Sequence, residues 1–310
     1  MSPQLHAQVY GFIPYISITN WGFIPGYRPN VFMGNGLLVG VFMACATIVT
    51  FWLWQSRAVR HILTLPTGWA FAILYVTTIF CKVLGAWSLL HLAIVVLILV
   101  KYLRFRAAIL ALLLAPSIYV IVRTTATWDA QLLVDAASQV HAERAGSIGF
   151  RLANENLLIK KALDRPMFGW GGFGRSRVRD EESGRDISVT DGLWIIVIGQ
   201  QGLFGLCAWL AAMGLPVLLL WRRVRSQMWR SREMAFLTAL ATVVCISALD
   251  NLFNASFSQV IALCLGGVTG VAGGLGRKIP LSELEPAEEA WTPPAEAWPV
   301  LTHSMPLHMR

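Results

Sequence analysis

Residues 35–54 read NGLLVGVFMACATIVTFWLW. The stretch carries no charge. As a helix rising about 1.5 Å per residue it measures about 30 Å, the thickness of a bilayer's hydrocarbon core. It decides the class: a membrane-spanning helix. Further apolar runs follow at about 63–81, 83–100, 107–122 (with Pro116), 192–220 (with Pro216 as a place to bend), 235–249 and 257–275. The pattern predicts an all-α polytopic membrane protein of about seven transmembrane helices.

Composition points the same way. Of 310 residues, 56% are hydrophobic and only 14% charged, where soluble domains carry about a quarter charged. The formal charge is +8. Its Lys and Arg residues flank apolar runs instead of forming one patch, which fits membrane loops and argues against nucleic acid. The five cysteines, Cys45, Cys81, Cys207, Cys245 and Cys264, lie in or beside apolar runs with no CxxC spacing. They read as small core residues, not as a zinc site or a disulfide framework. The aromatic, turn-rich N-terminus lacks the basic start and apolar core of a signal peptide.

Short-loop charge then sets direction. Arg57 and Arg60, Lys101, Arg104 and Arg106, the Arg222–Arg232 group, and Arg277 with Lys278 fall on one side if the spans alternate; the other side holds Lys82 and Asp250. Lys and Arg resist translocation, so the first set is expected in the cytoplasm. The chain divides into an external segment over 1–34, four spans over 35–123, an external loop over 124–191, three spans over 192–275, and a Pro/Glu/Ala-rich cytoplasmic tail over 276–310, expected to be disordered.

The external loop contains SIGFRLANENLLIKKALDRPMFGWGGFG, residues 147–174. Ile148, Leu152, Ile159 and Leu163 fall within about 60° of one another on a helical wheel, with Ser147 as a candidate cap and Pro166 as the stop. Glu155 falls beside that stripe and interrupts it. An amphipathic helix on the outer membrane surface is the expectation. The glycines of FGWGGFG suit a tight, backbone-exposed turn, and its rings suit an interfacial or sugar-facing surface.

Three charged residues gather at the outer face in this reading. Arg28 precedes the first span, Arg151 borders the amphipathic stripe, and Asp191 stands where the chain enters the membrane at 192. Arginine's planar fork binds phosphate oxygens, and a carboxylate can take a proton from an attacking hydroxyl. These three are the candidate catalytic residues. Arg165, Arg175, Trp170 and Asp250 are the candidate substrate-binding set. No DxD pair occurs, so no metal and no cofactor is expected, and arginine must stabilise the leaving group. The bland alternatives are that the arginines snorkel to lipid phosphate and that Asp191 caps its helix. His91 reads as a helix-packing hydrogen-bonder, His141 as a surface residue, and the NAS sequon at Asn254–Ser256 as too near the membrane to matter.

The segments RLANENLLIKKALDRPMFGWGGFG and TDGLWIIVIGQQGLFGL, together with GYRPNVFMGNG, resemble the O-antigen ligase/polymerase superfamily over roughly residues 20–275. The resemblance implies a helical membrane fold, an undecaprenyl-diphosphate-linked glycan donor, a glycan or lipid acceptor, and a metal-independent, inverting transfer on the periplasmic face of the bacterial inner membrane. It maps donor-binding arginines onto Arg28 and Arg151. Its ligases carry a histidine where this chain has Asp191, which favours a polymerase or a relative with another acceptor. The family usually has further upstream spans, so a short version or fragment of a larger protein is expected. Two other classes stay open: a flippase or transporter of lipid-linked sugars, which calls for charges midway through the spans, and a non-catalytic assembly subunit.

Overall fold

A computed structural model describes residues 3–12, 18–21, 24–31, 33–125, 135, 138 and 142–274. Its helices are α1 (Pro3–Tyr10), α2 (Gly36–Gln55), α3 (Thr67–Phe80), α4 (Leu84–Tyr102), α5 (Ala107–Thr124), α6 (Ala142–Leu163), α7 (Leu193–Arg223), α8 (Ala235–Phe253) and α9 (Gln259–Gly274), with a 3-10 turn at Met228–Arg230. Two short antiparallel strand pairs, Ile18–Trp21 with Ile24–Tyr27 and His61–Ile62 with Leu65–Pro66, are the strand structure among the described residues. The expected tail over 276–310, with Arg277 and Lys278, and His141 all lie outside the described residues.

Five helices, α2, α4, α5, α7 and α8, are long and apolar enough to cross a membrane; α3 and α9 are apolar but shorter. The outer face of α3 is consistent with the class. Trp69, Ile73, Val76 and Phe80 recur along one side of α3, all exposed. A contiguous apolar stripe of this kind has no place in water and every reason to face lipid.

The core forms where small residues let backbones approach. In α8, Ala239, Ala241, Cys245, Ser247 and Ala248 are all buried, and Thr238 and Thr242 turn their hydroxyls back onto Trp229 and Thr238 carbonyls. Buried residues make up 78% of the apolar window of α8, against 28–67% for the other four long helices, so α8 is the central strut. Around it pack Ile48 and Trp52 of α2, Leu90 and Leu97 of α4, Ile109 of α5 and Val217 and Leu220 of α7. Asn35 caps α2 by accepting from the Leu38 amide at 2.9 Å. Between α3 and α4, His91 bonds the Tyr75 hydroxyl at 2.9 Å and the Trp87 carbonyl at 2.7 Å, a packing role. Lys82 makes the turn between them with φ of 57°.

Polar contacts sort the helix ends into two sets. Lys101 ties the end of α4 to Gln55 at the end of α2. Arg106 at the start of α5 donates to the Trp221 and Val224 carbonyls at the end of α7. Arg223 reaches the Ala272 carbonyl near the end of α9. At the opposite set of ends, Arg28 donates to the Lys82 carbonyl at 3.2 Å, Arg123 of α5 meets Glu155 of α6, and Gly192 abuts the Leu252 carbonyl of α8. The first set is the basic end. It holds Arg57, Arg60, Lys101, Arg104, Arg106, Arg222, Arg223, Arg225, Arg230 and Arg232. The second is the loop end, where α6 sits.

The bend in α7 differs from expectation. Pro216 is buried within continuous helix, and the break falls at Gly202, with φ of 66° and ψ of −163°. The cause is another segment that satisfies the freed backbone groups, described next.

Candidate functional site at the loop end

α6 begins at Ala142, so Ser147 lies inside it and is no cap; it ends at Leu163, ahead of Pro166. Its buried face holds Leu152, Leu158, Ile159 and Ala162, while Leu163 is exposed. Glu155, the apparent interruption, is buried on that face. It is paired with Arg123 in the last turn of α5 at 3.3 Å, with side-chain exposures of 8% and 1%. The Tyr119 hydroxyl also donates to Glu155 at 2.8 Å, and Arg123 donates to Asn156 at 2.8 Å. Burial pushes the Glu155 carboxyl up; the Tyr119 hydrogen bond and the Arg123 charge oppose that. This network clamps the amphipathic helix to the membrane helices. Sequence reasoning missed it; the available signal was a lone acid on an apolar face and a lone arginine at a span's end.

The glycine-rich turn after α6 fills the break in α7. Helical bonding fails around Gly202 and frees backbone groups on both sides. Leu203 and Phe204 amides donate to the Pro166 and Met167 carbonyls at 2.7 and 3.2 Å, and Trp170 and Gly171 amides donate to the Gly199 and Gln200 carbonyls at 2.9 and 2.8 Å. A Cβ on Gly202 would clash with the Met167 carbonyl oxygen, and one on Gly169 would stand 2.7 Å from the Gln200 carbonyl carbon. Broken helices near a membrane are tolerated where protein satisfies the backbone, and here a loop does so.

Residues 176–190 run back to the start of α7. Asp186 pairs with Arg177 at 2.8 Å and accepts from Ser188, and the Val189 amide donates to Asn154 of α6 at 2.8 Å. The Arg177 hydrogen bond holds the Asp186 carboxyl below its ordinary value. A cleft of ≈ 240 Å³ opens between Gly174, Ser176, Arg177, Thr190, Ile196 and Gln200.

Asp191 follows at once. It is not the cap: Gly192 is the N-cap of α7, and no side chain caps that end. Instead the Asp191 carboxylate forms an ion pair with Arg151 of α6, Nε to Oδ2 at 3.3 Å, with both side chains 36% exposed. Arg151 Nη1 faces the Phe253 carbonyl at the end of α8 at 3.5 Å. Asp250, one turn earlier in α8, lies within electrostatic reach of Arg151. It is buried, takes a hydrogen bond from Asn254 Nδ2 at 2.8 Å on Oδ1, and leaves Oδ2 without a partner among the described residues. That bond uses the amide of the NAS sequon. So Arg151, Asp191 and Asp250 come together from three elements.

The other candidates sit apart from this trio. Arg28 is fixed at the α3–α4 turn. Trp170 donates its indole N–H to the Lys161 carbonyl at 2.7 Å, and Lys161 and Arg165 stack on its ring at 4.0 and 4.3 Å. The ring offered to a sugar is thus covered by cations. Arg175 folds onto the Gly172 carbonyl at 3.2 Å. No family model, curated protein or solved structure matches the chain.

Proposed function

We propose that the chain is an O-antigen ligase/polymerase-like glycosyltransferase of the bacterial inner membrane. It joins undecaprenyl-diphosphate-linked glycans to a glycan or lipid acceptor in surface or exopolysaccharide assembly. In this reading α3 and α9 complete seven spans, the basic end is cytoplasmic by the positive-inside rule, and the loop end is periplasmic. The observation that carries the reading is the half-exposed Arg151–Asp191 pair at the membrane-level mouth of α7. Supporting it, the charged residues of the long helices (Lys101, Arg123, Arg222, Arg223 and Asp250) all lie in last turns. A carrier needs charge midway through its spans.

The chemistry is an inverting displacement. The acceptor hydroxyl oxygen bonds to the anomeric carbon of the donor sugar as the bond from that carbon to the diphosphate breaks. The hydroxyl proton passes to the Asp191 carboxylate, and the electron pair leaves with the lipid diphosphate. Arg151 binds that diphosphate through the Nη face of its fork, and Arg28 contributes charge at the same end of the bundle. Arg165, Arg175, Trp170 and Asp250 remain the proposed substrate-side residues, with Trp170 acting through the cations it holds. No metal or cofactor enters the step.

The test is glycan transfer from a purified lipid-linked donor. Asp191→Asn keeps the shape and loses the proton acceptor, so transfer falls by about a hundredfold or more while thermal melting in detergent stays normal. Arg151→Lys keeps charge and loses the fork, and transfer falls again. Near-normal turnover in Asp191→Asn would leave that residue an ion-pair partner and refute the base assignment.

A further inference from the structure

We propose that the basic end carries a binding site for the headgroup of an anionic phospholipid, seated between the C-terminus of α4 and the 3-10 turn at 228–230. A shallow, open pocket of ≈ 560 Å³ lies there, lined by Lys101, Tyr102, Gln227, Arg230 and Ser231. It is built from two stretches more than a hundred residues apart, so the bundle's folding makes it.

Its cations are prepared for a ligand in different ways. Lys101 Nζ donates to the Gln55 carbonyl at 2.8 Å and to Gln55 Oε1 at 2.7 Å. An ammonium has three N–H donors; two are spent fixing its position, and the third has no acceptor among the described residues. Arg230 is exposed, and no hydrogen bond or ion pair engages its guanidinium among the described residues. The hydroxyls of Tyr102 and Ser231 and the Gln227 amide supply neutral donors around these charges. A phosphodiester has the acceptors and the negative charge this set asks for.

The surroundings select a lipid as the source of that phosphate. Among the described residues, the helix ends and short connections on this side carry ten Lys and Arg residues and one acid, Glu233. Tyr102, Leu103, Phe105 and Met228 are exposed beside the pocket, an apolar and aromatic rim suited to the acyl region below a headgroup. Basic pockets between spans on the positively charged side are where anionic headgroups lodge. The assignment does not depend on the proposed transferase activity.

The experiment titrates short-chain phosphatidylglycerol into the purified full chain in neutral detergent, with phosphatidylcholine and inorganic phosphate as competitors. Binding is expected to saturate. Arg230→Gln removes one charge-assisted contact and weakens it about tenfold. Arg225→Gln, also exposed at the same end but outside the pocket, changes it less than about twofold. Phosphatidylcholine and inorganic phosphate displace the lipid weakly. Equal loss in the two variants would reduce the effect to diffuse charge and overturn the site. So would unchanged binding in Arg230→Gln, or displacement by inorganic phosphate at the same concentration as the lipid.

Discussion

The residues that matter most here are defined by their partners. Arg123 and Glu155 are both buried and satisfy each other. Removing one strands the other, so Arg123→Ala is expected to cost about 3–5 kcal/mol. The double variant Arg123→Met with Glu155→Leu removes both charges and recovers most of that loss. A denaturation series in mixed micelles separates the two outcomes; equal losses would mean the pair does not carry the docking of α6. Gly202 and Gly169 are bound by a different constraint, close backbone approach at positive φ. Alanine at either combines left-handed strain with a clash, about 2–4 kcal/mol together. Gly172→Ala, where a Cβ meets nothing within 4 Å, serves as the control and should melt like the unaltered chain. Asp191 shows how a residue's role escapes local reading: its position beside a helix start fits a cap, yet Arg151, 40 positions earlier in the chain, takes its carboxylate.

At the scale of elements, the loop end is a helix, a turn and a strap that hold one another. α6 is legible as an amphipathic helix because its apolar spacing repeats at 3.6 residues. Its start at Ala142 is not, and neither is the burial of Glu155, which depends on what α5 presents. The strap over 177–188 depends on charge. Asp186 has a folded value below its ordinary one because Arg177 donates to it. A depressed carboxylate stabilises the fold above its unfolded value, about pH 4, and loses that contribution as pH falls through the lower folded value. The pair is largely exposed, so the effect is small and local. The protection factor of the Ile187 amide, which donates to the Val178 carbonyl, should therefore fall below about pH 4 while the α8 amides stay protected. A protection factor that is flat across that range would remove Asp186 from the strap's stability.

At the scale of the whole molecule, the two sets of helix ends meet the two charge classes of the loops. The sidedness proposed for them predicts that a reporter fused after Arg225 reads cytoplasm and one at Gly184 reads periplasm. The reverse pattern would put the Arg151–Asp191 site on the wrong face for a lipid-linked glycan. Hydropathy and loop charge belong to the sequence itself. A run such as 35–54 must be a lipid-buried helix because water-free surroundings demand internal backbone bonding, and each such run carries that demand within its own residues. What the sequence leaves open is which residue meets which across the loops. The break at Gly202, not at Pro216, exists because the 166–171 turn supplies the missing hydrogen bonds. Trp170 is covered by Lys161 and Arg165, and Asp191 faces Arg151. These outcomes hang on distant segments closing onto one another, and only the packed bundle fixes which donors and acceptors come within reach.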